Sequence, residues 1–571
     1  MAETQVTRQA STFPWLQHYP PSTPHNVDDK LGKTLVDLLE ESKQQYASRP
    51  AVESFGVSLT YAQVDEIANK VAGFLQAKGL VKGDRVAIFM PNVAAYIPIL
   101  FGVLKAGGIV VNTNPLYTPR ELTHQMKDSG AKFIFFLSLF EKTVAAADKA
   151  VSFDTMVRVE VGDLLGLKGR LISVVARRKQ GVTKKDRQSQ AISLQTALKE
   201  GAKHGFVPVP ITPDDLAFLQ YTGGTTGVSK GAMLQHSNVQ ANTEQCVAWF
   251  DPVLDRENKR HIMIGALPLY HIFALTGCAF FTLRIGGTAL LITNPRDLKT
   301  FTTTLRKRPF TIFVGINTLF SALADHPDFP NADFSHLSVC IGGGMATKSI
   351  VAEKWKKITG FPIIEGYGLS ETSPGATFNS PRIDCFTGAI GFPWPSTEVR
   401  ILDAEGQPVA EGEIGEIAIK GPQVMRGYWN RPEETARVFT EDGFFRSGDM
   451  GLMLPDGQFK LVDRLKEMIN VSGFNVYPNE VEDVIIQMPE VKDVAVVGLP
   501  DDHSGEAVTA FVIKRDENLT EQQIRDYCRE MLTGYKVPKK VVFKEELPKS
   551  NVGKVLRRVL YEEAVGGKNS A

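Results

Sequence analysis

From Thr60 to Leu137 the hydrophobic pattern switches repeatedly between a helical and an extended period, and that alternation confines the chain to a layered α/β architecture. Thr60 suits an N-cap for a helix from Tyr61 to Gly79, with apolar residues at three- and four-residue spacing and Gly79 ending it. A strand is expected over Arg85 to Met90, a helix over Ala94 to Ala106 and a strand over Gly108 to Asn112. The motif repeats as a helix over Arg120 to Ser129 and a strand over Lys132 to Leu137, after an earlier helix over Lys33 to Ala47. Such alternation favours largely parallel sheets.

The texture then changes twice. From Gly388 to Val462 the strands are shorter and broken by Gly and Asp turns, which predicts a small β-rich subdomain. Beyond Asp463 a helix over Pro478 to Gln487, strands over Asp493 to Gly498 and Ala507 to Lys514, and a helix over Thr520 to Leu532 describe a compact α+β unit. A chain of 571 residues exceeds a single core. The expected organisation is therefore a large α/β N-terminal domain, residues 1–465, and a smaller mobile α+β C-terminal domain, residues 466–571.

Charge excludes some partners and leaves others open. Lys plus Arg and Asp plus Glu both number 64, so no globally basic nucleic-acid binder is expected, and local patches are not averaged away. Eight basic residues against the single acid Asp186 fall between Leu165 and Arg187: Lys168, Arg170, Arg177, Arg178, Lys179, Lys184, Lys185 and Arg187. Leu164, Leu167, Leu171 and Val174 share a helical stripe there, so residues 165–187 suit either an anionic membrane surface or a solvated insertion weakened as a helix by Gly166 and Gly169. Five scattered cysteines imply no disulfide framework and a reducing compartment. No secretory leader or spanning segment is apparent, and a cytoplasmic protein, peripheral at most to the inner face of a membrane, is expected.

The densest chemical signal is Tyr221-Thr-Gly-Gly-Thr-Thr-Gly-Val-Ser-Lys-Gly231, which follows the apolar run Leu216 to Gln220. Backbone N–H groups, hydroxyls and one ammonium so closely placed suit a polyphosphate. Ser229 precedes Lys230 and Gly231 follows it, so the order differs from that of a P-loop. The loop resembles the phosphate loop of the adenylate-forming superfamily, which contains acyl-CoA synthetases, firefly luciferase and peptide-synthetase adenylation domains. Where that family commonly has Thr-Ser-Gly and Pro-Lys, this chain has Thr222-Gly223-Gly224 and Ser229-Lys230.

The resemblance runs from Tyr61 to Arg558 and carries residue roles with it. Thr222, Gly223, Gly224, Thr225, Thr226, Gly227 and Lys230 would cradle ATP phosphates. Leu267-Pro-Leu-Tyr-His-Ile-Phe273 resembles the segment whose His places the carboxylate, here His271; a lone His on an apolar stretch is more often a core residue. Gly343 and Gly344 would approach adenine, with Tyr367 of Glu365-Gly366-Tyr367-Gly368 stacking on it. Ser370 would meet the α-phosphate, and Glu371, with Thr222, would hold Mg²⁺, which takes one or two carboxylates plus phosphate oxygens. Asp449 and Arg464 would take the ribose, Lys466 falls at the hinge, and Gly473 and Phe474 at the CoA channel. Lys554 matches the lysine of adenylation. Phe273, Val314, Gly315, Thr318 and Gly342 are candidates for an apolar acyl pocket.

Within the superfamily the chain resembles the bacterial long-chain fatty acid–CoA ligases. The implied activity is ATP-dependent conversion of a long-chain fatty acid to acyl-CoA through acyl-AMP, releasing AMP and pyrophosphate, with Mg²⁺ as cofactor and CoA as co-substrate. A medium-chain or aromatic, coumarate-type acid shares every motif outside the pocket. A luciferase-like oxygenase shares the motifs too; a peptide-synthetase module is disfavoured by the absence of a carrier segment after Arg558. A non-catalytic fatty-acid-binding or transport protein is the contrasting class, and a homodimer is left open.

Overall fold

Thr60 caps its helix as its chemistry suggests. Its hydroxyl accepts from Gln63 N, the Gln63 side chain answers the Thr60 backbone, and the helix runs Tyr61–Ala77. The same box opens Pro119–Ser129 at Thr118 and Glu521–Met531 at Thr520. The computed structural model describes residues 13–179, 190–222, 229–256, 259–501, 503–550 and 554–566.

Two large sheets form the N-terminal body. In the seven-stranded sheet the order is Ile192–Ser193, Thr155–Val159, Phe133–Leu137, Arg85–Phe89, Ile109–Asn112, Leu216–Thr222 and Lys230–Gln235, parallel except for the last pair. The nine-stranded sheet has a parallel centre from Ile363–Gly368 through Val339–Gly342, Ile312–Gly315, Ile262–Gly265 and Thr288–Leu291 to Pro50–Ser54, with antiparallel strands at each edge. Central parallel strands are covered on both faces, which is why all five residues of Phe133–Leu137 are apolar and buried. The helix Tyr96–Lys105 is buried on every side, and Val86 of one sheet shares a single core with Phe313 of the other. Lys105 survives that burial because its ammonium meets Asp65, Glu40 and Asn69.

Glu398–Leu402, Gly415–Lys420, Phe445–Met453 and Phe459–Arg464 form an antiparallel sheet of four, the β-rich subdomain. After a short turn at Leu465–Glu467 a five-stranded sheet follows, with helices Pro478–Ile485, Glu521–Met531 and Arg557–Gly566 and separate hydrophobic clusters.

The basic segment is a helix, Gly166–Lys179, up to the limit of what is described; residues 180–189, and with them Lys184, Lys185 and Arg187, lie outside it. Gly169, which lowers the intrinsic propensity of this helix, also has a packing role. A Cβ there would lie 1.9 Å from the Gly162 carbonyl oxygen, so the glycine permits the close approach that seats it. Leu164 turns inward with a positive φ and packs on the core, while Leu167, Leu171, Val174 and Val175 face solvent. Among the described residues no helix is long and apolar enough to cross a membrane, and the five cysteines are free.

Candidate functional site

The β-rich subdomain delivers the first pair. Asp449 and Arg464 face each other across neighbouring antiparallel strands, and the guanidinium Nε lies 3.2 Å from Asp449 Oδ1. The other carboxylate oxygen accepts from the Tyr367 hydroxyl at 2.8 Å, which ties the subdomain to the end of strand Ile363–Gly368. Burial raises the Asp449 carboxyl above its ordinary range, and Arg464 opposes that rise. Two residues past the same strand, the turn Ser370–Thr372 holds Glu371 buried. Its Oε1 accepts from the Tyr428 hydroxyl at 2.7 Å, and burial raises this carboxyl too.

The floor is made flat by glycine. A Cβ on Gly343 would come within 3.0 Å of the Phe273 ring, and Gly344 adopts a φ of +74°. Glu365 accepts from Thr347 N at 2.9 Å, and burial pushes its carboxyl up to about 7. Thr222 and Lys230 are register partners at the end of an antiparallel pair. Gly223, Gly224, Thr225, Thr226 and Gly227, between them in the chain, lie outside the described residues. The Lys230 ammonium is paired with Glu434 and sits 5.1 Å from the centre of the Tyr428 ring.

His271 precedes the helical turn at Ile272, and burial, aided by the charge of Lys554, pushes it down to about 4. It is a neutral imidazole at pH 7. Lys554 arrives from the C-terminal unit. Burial and the charge of Arg464 pull its ammonium down to about 8, against the attraction of Asp449, Glu467 and Glu371.

All of these groups line one cavity of about 1870 Å³, together with Phe273, Val314, Thr318, Gly366, Gly368, Ser370 and Lys466. Gly315 and Gly342 do not. They are register partners in adjacent strands, where a Cβ would meet the Phe320 ring at 2.8 Å and Ile363 at 2.6 Å, so close packing within the sheet accounts for both glycines. Gly473 and Phe474 also stay out of the cavity. They sit on the hairpin Ile469–Val471/Phe474–Val476, with an exposed Phe474 ring stacked on Tyr535 at 4.7 Å. The C-terminal unit thus presents its Lys554 face to the cavity and turns the Gly473 hairpin away.

Sequence reasoning missed much of the wall. Tyr428 gives no local signal beyond its aromatic character, and the cavity-lining Cys246, Phe250, Met263, Phe281, Phe378 and Trp394 look like ordinary core until tertiary contacts place them. Gly277 belongs with them; a Cβ there would have no atom within 4 Å. Among the described residues no cluster of three His, Cys, Asp or Glu side chains could hold a metal. Glu371 offers a single buried carboxylate, the donor suited to a magnesium ion that arrives with phosphate oxygens and water.

A family model described as AMP-binding enzyme matches residues 39–429, and one described as AMP-binding enzyme C-terminal domain matches residues 480–554. The long-chain-fatty-acid–CoA ligase of Salmonella typhimurium (strain LT2) is 47% identical over 554 residues, covering 97% of this chain and 98% of that protein. The Bacillus subtilis (strain 168) protein of the same name is 38% identical over 97% of this chain and 98% of its own length. Among solved structures, ATP-bound MatB from Rhodopseudomonas palustris superimposes with a TM-score of 0.78 at 29% identity, covering 92% of this chain and 98% of that one.

Proposed function

The chain belongs to the AMP-binding enzyme family, and from that premise we propose that it activates long-chain fatty acids with ATP and transfers the acyl group to CoA. The observation that carries the reading is Lys554, brought by the C-terminal unit into one cavity with Glu371, Asp449, Arg464 and Tyr367. A carboxylate is a poor electrophile. Its oxygen attacks the α-phosphorus of ATP, pyrophosphate leaves, and the acyl-AMP carbonyl is then open to the CoA thiol, with AMP departing. In the first step two anions meet, so fixed positive charge is the main requirement. Lys554 supplies it; Tyr367 and the Gly343–Gly344 floor take the base, Asp449 with Arg464 the ribose, and Lys230 and Thr222 the outer phosphates. Glu371 would hold Mg²⁺, which neutralises phosphate charge when bound. Neutral His271 orients the carboxylate by hydrogen bonding and adds no charge.

The apolar wall selects the acid. Gly277 faces open space, so Gly277→Phe is expected to fill the tunnel and move the optimum to shorter acids, lowering palmitate kcat/KM by about 10- to 100-fold while sparing short acids, on the scale of losing several methylene contacts. Acyl-CoA formation and pyrophosphate release over a panel of chain lengths and aromatic acids test both statements. A wild-type preference for a coumarate-type acid removes the long-chain reading, and an unchanged panel for the variant removes Gly277 from the tunnel.

A membrane surface is a second partner that this reading favours. Leu167, Leu171, Val174 and Val175 are exposed on a basic helix, and Lys168 donates to the carbonyl oxygen of Phe55 at 2.6 Å, which brings a fifth exposed apolar residue close to the helix. The protein is expected to pellet with anionic vesicles at low salt, release at high salt, and bind less when Leu167 and Leu171 are both changed to Ser. Failure to bind at any salt concentration removes this partner.

A further inference from the structure

The carboxylate of Asp493 joins two segments that belong to different halves of the molecule. It lies on strand Val491–Asp501 of the C-terminal unit, with Oδ1 accepting from the Lys348 ammonium of the N-terminal body at 2.8 Å. Oδ2 accepts from Lys549 at 2.6 Å. All three side chains are between 18% and 35% exposed, so the pairs are partly shielded from water.

Both partners lead directly to the cavity. Lys348 follows Thr347, whose N–H is held by Glu365, and its own N–H donates to Asn317 Oδ1 at 2.9 Å, so this lysine is anchored on the wall that carries the Gly343–Gly344 floor. Lys549 lies shortly before Lys554 in the chain, and described residues on the two sides of that interval pair with each other. Ser550 N donates to Lys554 O at 2.7 Å, Lys554 N returns a bond to Ser550 Oγ at 3.1 Å, and Lys549 bridges to Val555.

We propose that Asp493 is a positioning residue for adenylation: its carboxylate latches the loop that carries Lys554 to the Lys348 wall, and the latch must open before the Gly473 hairpin can face the cavity. The inference rests on the reading of Lys554 as the adenylation lysine. A latch of this kind stabilises only one of the two arrangements, so it acts on one half-reaction. A residue needed simply for folding would lower both.

The test uses the full-length protein and measures two half-reactions separately: pyrophosphate release from ATP and palmitate without CoA, and acyl-CoA formation from supplied palmitoyl-AMP. Asp493→Asn is expected to slow the first by about tenfold, the scale of losing two partly shielded ion pairs, and to leave the second unchanged or faster. Lys348→Met removes one of the two pairs and should slow the first half-reaction by a smaller factor while sparing the second, and the double variant should be no slower than Asp493→Asn alone, because that substitution already removes the Lys348 contact. Equal loss in both half-reactions, or full adenylation in Asp493→Asn, overturns the latch. Lys554→Ala run alongside separates the two readings. A loss confined to adenylation there, with no effect of Asp493→Asn, removes the latch alone; equal loss of both halves in Lys554→Ala removes the premise and the latch with it.

Discussion

Lys554→Ala is expected to lower acyl-AMP formation by about 10²–10³-fold or more, the scale of removing one preorganised charged donor, while acyl-CoA formation from supplied acyl-AMP stays close to wild type. The asymmetry follows from when the charge is needed. Attack of a carboxylate on a phosphate brings two anions together, whereas a thiol attacking the carbonyl of a mixed anhydride does not. A titration signature accompanies it. Burial and Arg464 hold the Lys554 ammonium near 8 in the free protein, so kcat/KM for adenylation should fall about tenfold per unit as pH rises beyond that value, because deprotonation removes the charge the step uses. Lys554→Arg keeps its proton throughout this range and should shift the fall to higher pH, at some cost in geometry. Equal impairment of both half-reactions by Lys554→Ala contradicts the assignment.

The second large effect is expected at Lys466. This residue sits in the short turn Leu465–Glu467, between strand Phe459–Arg464 of the β-rich subdomain and strand Ile469–Val471 of the C-terminal unit. In the present arrangement Lys554 faces the cavity and the Gly473 hairpin lies outside it, so presenting the hairpin requires the chain to turn somewhere along this stretch. Lys466→Pro fixes φ at roughly −65° and removes that freedom. Thioester formation from supplied acyl-AMP should drop by about tenfold or more while adenylation changes by less than about threefold, as hinge positions commonly govern one step of a cycle. Rapid-quench measurement of each half-reaction decides it, and matched losses in the two halves place the hinge elsewhere.

Much of the architecture was legible because local chemistry and global fold agree. Thr60 caps the helix that its sequence announces, and every residue of the doubly covered strand Phe133–Leu137 is apolar. Strand ends drifted where pairing extends beyond the apolar run: Asp493 to Gly498 became Val491–Asp501, since its partner Gly505–Lys514 continues the ladder. The basic helix shows the opposite limit. Its stripe was visible, but that Gly169 also seats the helix depends on Gly162, seven residues away along the chain and in contact only after folding.

The sequence by itself determined the layered α/β class, the change of texture near Asp463 and the order of chemically distinctive segments, because capping, periodicity and motif spacing are local properties carried by neighbouring residues. Tertiary structure alone decided what those segments do to one another. Arg464 meets Asp449 because two strands pair in register, Tyr428 meets Glu371 across 57 positions, and Lys554 loses part of its proton affinity because another unit buries it. Gly315 and Gly342 belong to sheet packing, and Gly277 to the cavity, for the same reason. A glycine carries no side chain to announce its surroundings, and burial, like electrostatic field, is a property of position in the folded chain.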